Sequence, residues 1–167
     1  MPTEQQPFAD VLAANEQYAA TAALEPLEAR AAKGLAVLTC MDSRIDPMRM
    51  LGLVPGDAKI LRNAGARVTE DVLRTLVLAR YLLGVHRVMV VAHTSCRMAG
   101  ADEAAVHEAI RAADGPDTRS ITFLTAVDQD QAVRDDVQRV RSWPYLRDVT
   151  VAGFVYDLST GRLRQIC

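Results

Sequence analysis

Two short apolar runs punctuate the chain, LAVLTC over 35–40 and RVMVVAH over 87–93, each rich in β-formers and each ending abruptly at polar residues. Runs of this length without alternation read as strands buried on both faces, as in a parallel sheet. A further strand is predicted over 58–62, one over 120–126 (SITFLTA), and a terminal strand in VTVAGFVYD, whose turn at Ser159-Thr160-Gly161 allows a short hairpin return through RLRQI. Elsewhere the apolar positions recur every three or four residues. Phe8, Val11, Leu12, Tyr18, Ala19 and Ala22 predict an amphipathic helix over 8–22, and comparable spacing predicts helices over 102–113 and 130–143, the latter closed by Pro144. Asp46-Pro47 supplies an N-cap and a first-turn proline for a short helix that Gly52 and Pro55 terminate. Thr69 caps a helix over 70–83 that stops at Gly84 and is apolar around most of its circumference, enough to face both a sheet and a partner subunit.

Strands alternating with helices imply right-handed crossovers and a parallel sheet, with ligands bound beyond the carboxyl ends of the strands. Cys40 and His93 both end strands and therefore belong to that region. The expected fold is α/β: one domain over 1–167, a central mainly parallel sheet flanked by helices, an N-terminal helical arm over 1–24 and a C-terminal strand or hairpin.

Half of the 167 residues are apolar, 24% are charged, and the formal net charge is −2. A folded domain with its own core is expected, and the charge balance speaks against nucleic acid as a partner. Lys33 and Lys59 are the only lysines, and the many arginines form no run. Charges such as Arg80 and Arg87 interrupt every apolar stretch before it reaches the length of a membrane span, and the N-terminus has neither a basic region nor an apolar core of a secretory signal, so a cytoplasmic location is expected. Three cysteines, Cys40, Cys96 and Cys167, lie far apart and make a disulfide framework improbable in a reducing compartment.

The candidate chemistry lies in His93-Thr94-Ser95-Cys96. Imidazole and thiolate are ligands that zinc prefers, and one short turn offers both. Cys40, at the end of another strand, completes a set of three; three protein ligands and one open position are the pattern of a catalytic zinc site, whereas a closed structural site wants a fourth Cys or His. Cys167, the last residue, is a poor fourth. Two thiolates cancel the charge of Zn²⁺ and weaken its power to acidify water, so neighbouring groups matter more. Asp42 and Arg44 stand beside the first ligand, either as a charge pair next to the metal or as an ordinary turn cap and surface arginine. Asn63 and Gly65 either line the pocket or only build a tight turn. A cysteine phosphatase is excluded because the positions six residues after the cysteines are Asp46 and Asp102, not arginine, and a dithiol oxidoreductase because there is no C-x-x-C.

Cys40-Met41-Asp42-Ser43-Arg44, followed some fifty residues later by His93-x-x-Cys96, resembles the β-carbonic anhydrase family. Arg62-Asn63-Ala64-Gly65 is similar to that family's R-N-A-G segment, and Tyr156-Asp157 to Gly161 to its terminal Y-D-x-x-T-G hairpin, so the resemblance covers most of the chain. It implies zinc held by Cys40, His93 and Cys96, an Asp42–Arg44 pair, substrate contacts at Asn63 and Gly65, zinc-dependent hydration of carbon dioxide to bicarbonate and a proton, and a homodimer or a tetramer of dimers. A carboxylate is itself a competent zinc ligand, so Asp42 can also serve as a fourth ligand in a closed state. Two related functions stay open: hydrolysis of carbonyl sulfide or carbon disulfide, and a zinc-binding regulatory role with little turnover. Two positions depart from the family pattern. Arg97 stands where glycine usually follows the second cysteine, and Ser95 where compact members often have aspartate. A left-handed backbone at Arg97 would cost about 1 kcal/mol, and its charge is expected to narrow or repolarise the pocket.

Overall fold

The computed structural model describes residues 7–22, 26–100 and 102–167. Four parallel strands and one antiparallel strand form a single sheet in the order β2-β1-β3-β4-β5, with β1 at Leu35–Cys40, β2 at Ala58–Asn63, β3 at Arg87–His93, β4 at Thr150–Tyr156 and β5 at Leu163–Gln165. The helices are α1 at Ala9–Thr21, α2 at Pro47–Met50, α3 at Glu70–Leu82, α4 at Glu103–Ala112 and α5 at Gln129–Arg141. This is the α/β fold that the sequence predicts. The caps explain why the helices start where they do. Asp46 accepts from the amides of Met48 and Arg49, Thr69 from Val72, Asp102 from Ala105 and Asp128 from Gln131, so each N-terminus has an orphan donor satisfied.

The sheet is thick on one face. Val72, Leu73, Leu76 and Ala79 of α3 and Val137 and Val140 of α5 pack over Ala36 and Leu38 of β1 and Val88 and Val90 of β3. The other face, Leu35 and Val37 of β1 and Val91 of β3, is covered by Met50 at the end of α2 and by Leu51 and Leu53 after it, and its neighbours Met89, Ile60 and Phe154 are only partly buried. Gly153 lets α5 sit close, since a Cβ there would lie 2.4 Å from Val133 Cγ1. The α1 helix buries no residue within the chain, and Phe8, Val11, Leu12 and Tyr18 are exposed; the rest of the expected arm, 1–6 and 23–24, lies outside the described residues. Among the described residues no helix is long and apolar enough to cross a membrane.

One expected strand does not form. Residues 120–126 make no ladder; apart from an isolated bridge between Ala99 and Ala126 they run as an irregular strap over α4. The β-propensity of Ile121, Thr122 and Phe123 is outcompeted by side chains that take the backbone groups a neighbouring strand would have taken. The Glu103 carboxylate accepts the amides of Phe123 at 2.8 Å and Thr125 at 2.9 Å, and Arg67 donates to the Leu124 carbonyl at 2.6 Å. Leu124 itself is left-handed, with φ 59°. His107, which its helical setting suggests is merely solvated, bonds Thr118 Oγ1 at 2.9 Å and tilts against Phe123, tying α4 to the same strap.

The amides of Phe123 and then Thr125 hold the Glu103 carboxyl below its usual range. A depressed folded-state pKa means that the bond contributes fully above the ordinary carboxylate value, roughly pH 4, and that the contribution is lost as pH falls through the lower folded value. Protection factors of the Phe123 and Thr125 amides, measured by hydrogen exchange, should therefore drop in acid, and Glu103→Gln should lower them already at neutral pH. Protection that is independent of both would leave Glu103 without this role.

Candidate metal centre

Side-chain alternation brings the first two ligand candidates together from opposite sides of the sheet. Cys40 continues the row of Ala36 and Leu38 on the α3/α5 face, whereas His93 continues the row of Met89 and Val91 on the other. Both rows end at the carboxyl edge, where β1 and β3 are joined by Thr39 Oγ1 donating to the Val91 carbonyl at 3.0 Å. Past that edge the chain turns sharply at Ser95, whose φ of 55° is left-handed, and Cys96 folds back beside Cys40. One ligand atom from each of Cys40, His93 and Cys96 lies within 4.8 Å of the others, and the two sulfurs are 3.9 Å apart.

His93 is fully buried, with 0% exposure. Its Nδ1 sits 2.9 Å from the Thr94 carbonyl, which can only accept, so Nδ1 carries a proton and Nε2 is the nitrogen left to face a metal. That Nε2 is buried without a hydrogen-bond partner among the described residues. A buried orphan acceptor costs on the order of 1–3 kcal/mol, and a cation facing it removes the penalty. Burial also pushes the Cys96 thiol up, with the nearby Cys40 adding to it, which disfavours two thiolates side by side until a positive ion joins them. Two sulfurs and one imidazole nitrogen that has no partner of its own converge here, and they are a donor set that fits zinc.

The surroundings are built to hold this set still. Arg62 donates to the Cys40 carbonyl at 3.0 Å and the Asp42 carbonyl at 2.6 Å, fixing the loop after β1. The Thr94 amide donates to the Tyr156 carbonyl at 2.9 Å and its hydroxyl accepts from Leu158, so the ligand turn leans on the exit of β4; Gln129 donates to the His93 carbonyl. Gly65 is left-handed, with φ 78°, and its amide donates to Cys40 Sγ at 3.4 Å. Asn63 spends both ends of its side chain on Arg67, accepting from the Arg67 amide and donating to its carbonyl.

Asp42 faces Arg44. Nε and Nη2 of Arg44 reach the two carboxylate oxygens at 2.9 and 2.6 Å, the Arg44 amide adds a third bond, and Nη2 also donates to the Ser95 carbonyl at 3.1 Å. The guanidinium, chiefly through these side-chain bonds, holds the Asp42 carboxyl far below the usual carboxylate range. One Asp42 oxygen lies 3.8 Å from His93 Nε2, beside the ligand set but engaged by Arg44. Arg97 does not have the left-handed backbone considered for it; that conformation belongs to Ser95. Its exposed side chain borders a cleft with Val106, Ala109 and Ile110 of α4, not the cleft walled by Arg44, Ser95 and Tyr156. Sequence reasoning gave no role to Arg67 and Asp136, whose ion pair at 2.6 Å, buried on the Asp136 side and partly buried at Arg67, closes behind the Gly65 turn. Sixty-nine positions separate the two, and no local pattern marks such a pair.

Residues 35–163 match the carbonic anhydrase family. The chain is 34% identical over 160 residues to β-carbonic anhydrase 1 of Mycobacterium tuberculosis, covering 94% of this chain and 96% of that protein. It is 30% identical over 153 residues to a carbon disulfide hydrolase of an Acidianus strain, covering 77% of this chain and 75% of the relative. Among solved structures, a carbonic anhydrase from Streptococcus mutans superposes with a TM-score of 0.90 at 34% identity, covering 97% of this chain and 98% of that one. Agreement of this extent in sequence and in fold, reaching across the elements that carry Cys40, His93 and Cys96, establishes that the chain belongs to the carbonic anhydrase family, within its β class.

Proposed function

We propose that this protein is a zinc carbonate dehydratase that interconverts carbon dioxide and bicarbonate. The observation that carries the reading is the convergence of Cys40, Cys96 and the orphaned His93 Nε2 beside an aspartate that Arg44 holds away from them. Zinc, when bound, supplies a Lewis acid that makes water a competent nucleophile near neutral pH. The remaining work falls to the chain. Cys40, His93 and Cys96 would hold the ion, three protein ligands being the set expected of a catalytic zinc. Asp42, kept ionised by the Arg44 fork, accepts a hydrogen bond from the attacking oxygen and so directs its lone pair at the substrate carbon. Its lowered pKa makes it an orienting acceptor and not a store for the released proton. Arg44 also occupies the Asp42 carboxylate, which would otherwise be free to turn toward a bound ion. Ile45, Met50, Met98 and Leu158 pack around the two cysteines and give an apolar setting suited to an uncharged linear substrate. Gly65 acts through its amide on Cys40, and Asn63 acts by shaping the turn that carries it.

The carbon disulfide hydrolase relatives make carbonyl sulfide and carbon disulfide the substrates to test against. Stopped-flow hydration of carbon dioxide, run beside hydrolysis of both sulfur compounds and with metal analysis, separates the readings. One zinc per chain and turnover of carbon dioxide in preference to either are expected. Preference for a sulfur substrate would reassign the enzyme, and zinc without turnover would make it a binding or regulatory homologue. Arg44→Ala should lower hydration by about 10- to 100-fold and leave Asp42 on the metal in a crystal structure; near-normal turnover would remove Arg44 from the mechanism.

Assembly as a homodimer or a tetramer of dimers belongs to the same proposal. The unpacked α1, the exposed Leu78, Tyr81 and Leu82 of α3 and the thinly covered sheet face offer more apolar surface than one small domain leaves to water. A cytoplasmic location follows from the need to keep thiolate ligands reduced. Light scattering should give a mass at least twice the 18.2 kDa of one chain at micromolar concentration, and a monomer would contradict it.

A further inference from the structure

Behind the metal centre lies an ion pair that the reaction does not use. Asp136, on the inner face of α5, is 4% exposed, and its Oδ2 accepts from Arg67 Nε at 2.6 Å. Arg67 Nη1 reaches the Leu124 carbonyl, also at 2.6 Å, so one guanidinium joins α5 to the strap that Glu103 pins. A buried ion pair is weak evidence for stability, because desolvating two charges offsets most of their attraction. What this pair controls is better read from what Arg67 holds.

The backbone of Arg67 is gripped by the Asn63 side chain at both its amide, 2.9 Å, and its carbonyl, 2.7 Å. Between those two residues the chain passes through consecutive left-handed positions, Gly65 at φ 78° and Ala66 at φ 59°. Left-handed backbone at a residue with a side chain persists only where the surroundings over-determine it. Here the turn is wedged: a Cβ on Gly65 would lie 3.3 Å from Met98 Cβ and 3.5 Å from Arg67 Cγ. The result is that the Gly65 amide is aimed at Cys40 Sγ. An N–H donated to a thiolate draws charge from the sulfur and fixes its direction, and outer partners of this kind are worth about 10- to 100-fold in metal affinity or activity.

We propose that Asp136 is a positioning residue for the metal centre: through Arg67 it holds the 63–67 turn so that the Gly65 amide stays on the Cys40 sulfur. The proposal rests on the reading of Cys40 as a zinc ligand. Zinc affinity is measured by chelator competition, and the cobalt(II)-substituted protein is followed by its sulfur-to-metal charge-transfer absorption, so that neither readout depends on turnover. Asp136→Asn removes the charge and keeps the shape, while Arg67→Lys keeps the charge and loses the fork that reaches Asp136 and Leu124 together. Both should weaken zinc binding about tenfold or more and shift the cobalt band. Val140→Ala, which loosens the same helix in the core without touching the pair, should lower the melting temperature and leave affinity and spectrum as they were. If Asp136→Asn does not fold, Arg67→Lys decides by the same two readouts. The proposal is overturned if these variants bind zinc as tightly as the parent with an unshifted cobalt band, or if Val140→Ala weakens binding as much as they do. A parent protein that takes up neither metal would instead overturn the assignment of Cys40, His93 and Cys96.

Discussion

The register between β1 and β3 is the constraint on which the centre depends. Thr39 pairs with Val91, and the two strands run parallel, so both end at one edge of the sheet. The period of two means that slipping one strand by a single residue would turn its entire core row outward. Ala36 and Leu38 on one side, and Leu35 and Val37 on the other, are buried to 7% exposure or less, which makes a slip costly on both faces of β1. The hydrophobic core thus fixes the geometry of the ligands as well as the stability of the sheet. Cys40 and His93 meet because every residue before them in the strands is already committed.

The parts legible in the sequence are those whose causes are local. The unbroken apolar runs, the Asp46-Pro47 start, the Thr69 cap and the Gly84 stop each act within a few residues, and the strands and helices built on them form where expected. The convergence of Cys40, His93 and Cys96 is legible for a related reason, since donors at the ends of two parallel strands have one shared place to go. What was not legible depends on partners far along the chain. The strap at 120–126 has the composition of a strand, but Glu103 and Arg67 satisfy its backbone first. Asp136 reads as one more polar position on an amphipathic helix until the fold places Arg67 against it. A glycine usual after the second cysteine raises a left-handed backbone at Arg97 only as a condition, and the turn takes that conformation at Ser95, between His93 and Cys96.

Electrostatics around the site are arranged in pairs that do not compete. Asp42 accepts from Arg44 on both oxygens, Asp136 accepts from Arg67 on one, and Arg62 is occupied with the carbonyls of Cys40 and Asp42. Bidentate and multiply bonded guanidinium groups suit this task because the planar fork resists rotation. The exposed Arg97, by contrast, bonds no side chain among the described residues and leaves this arrangement undisturbed.

The Arg44 guanidinium touches both halves of the centre, the Asp42 carboxylate on the loop after β1 and the Ser95 carbonyl inside the turn after β3. The two loops are otherwise separate in the chain, and their common cation makes them mechanically dependent. Moving Asp42 toward the ligands would strip Arg44 of its carboxylate and loosen its hold on the turn that aims Cys96. Displacement of either loop is therefore opposed by the Arg44–Ser95 contact that joins them. The aim of the turn that carries Cys96 thus depends on a residue of the other loop, although no covalent segment shorter than the whole of β2, α3 and β3 connects the two.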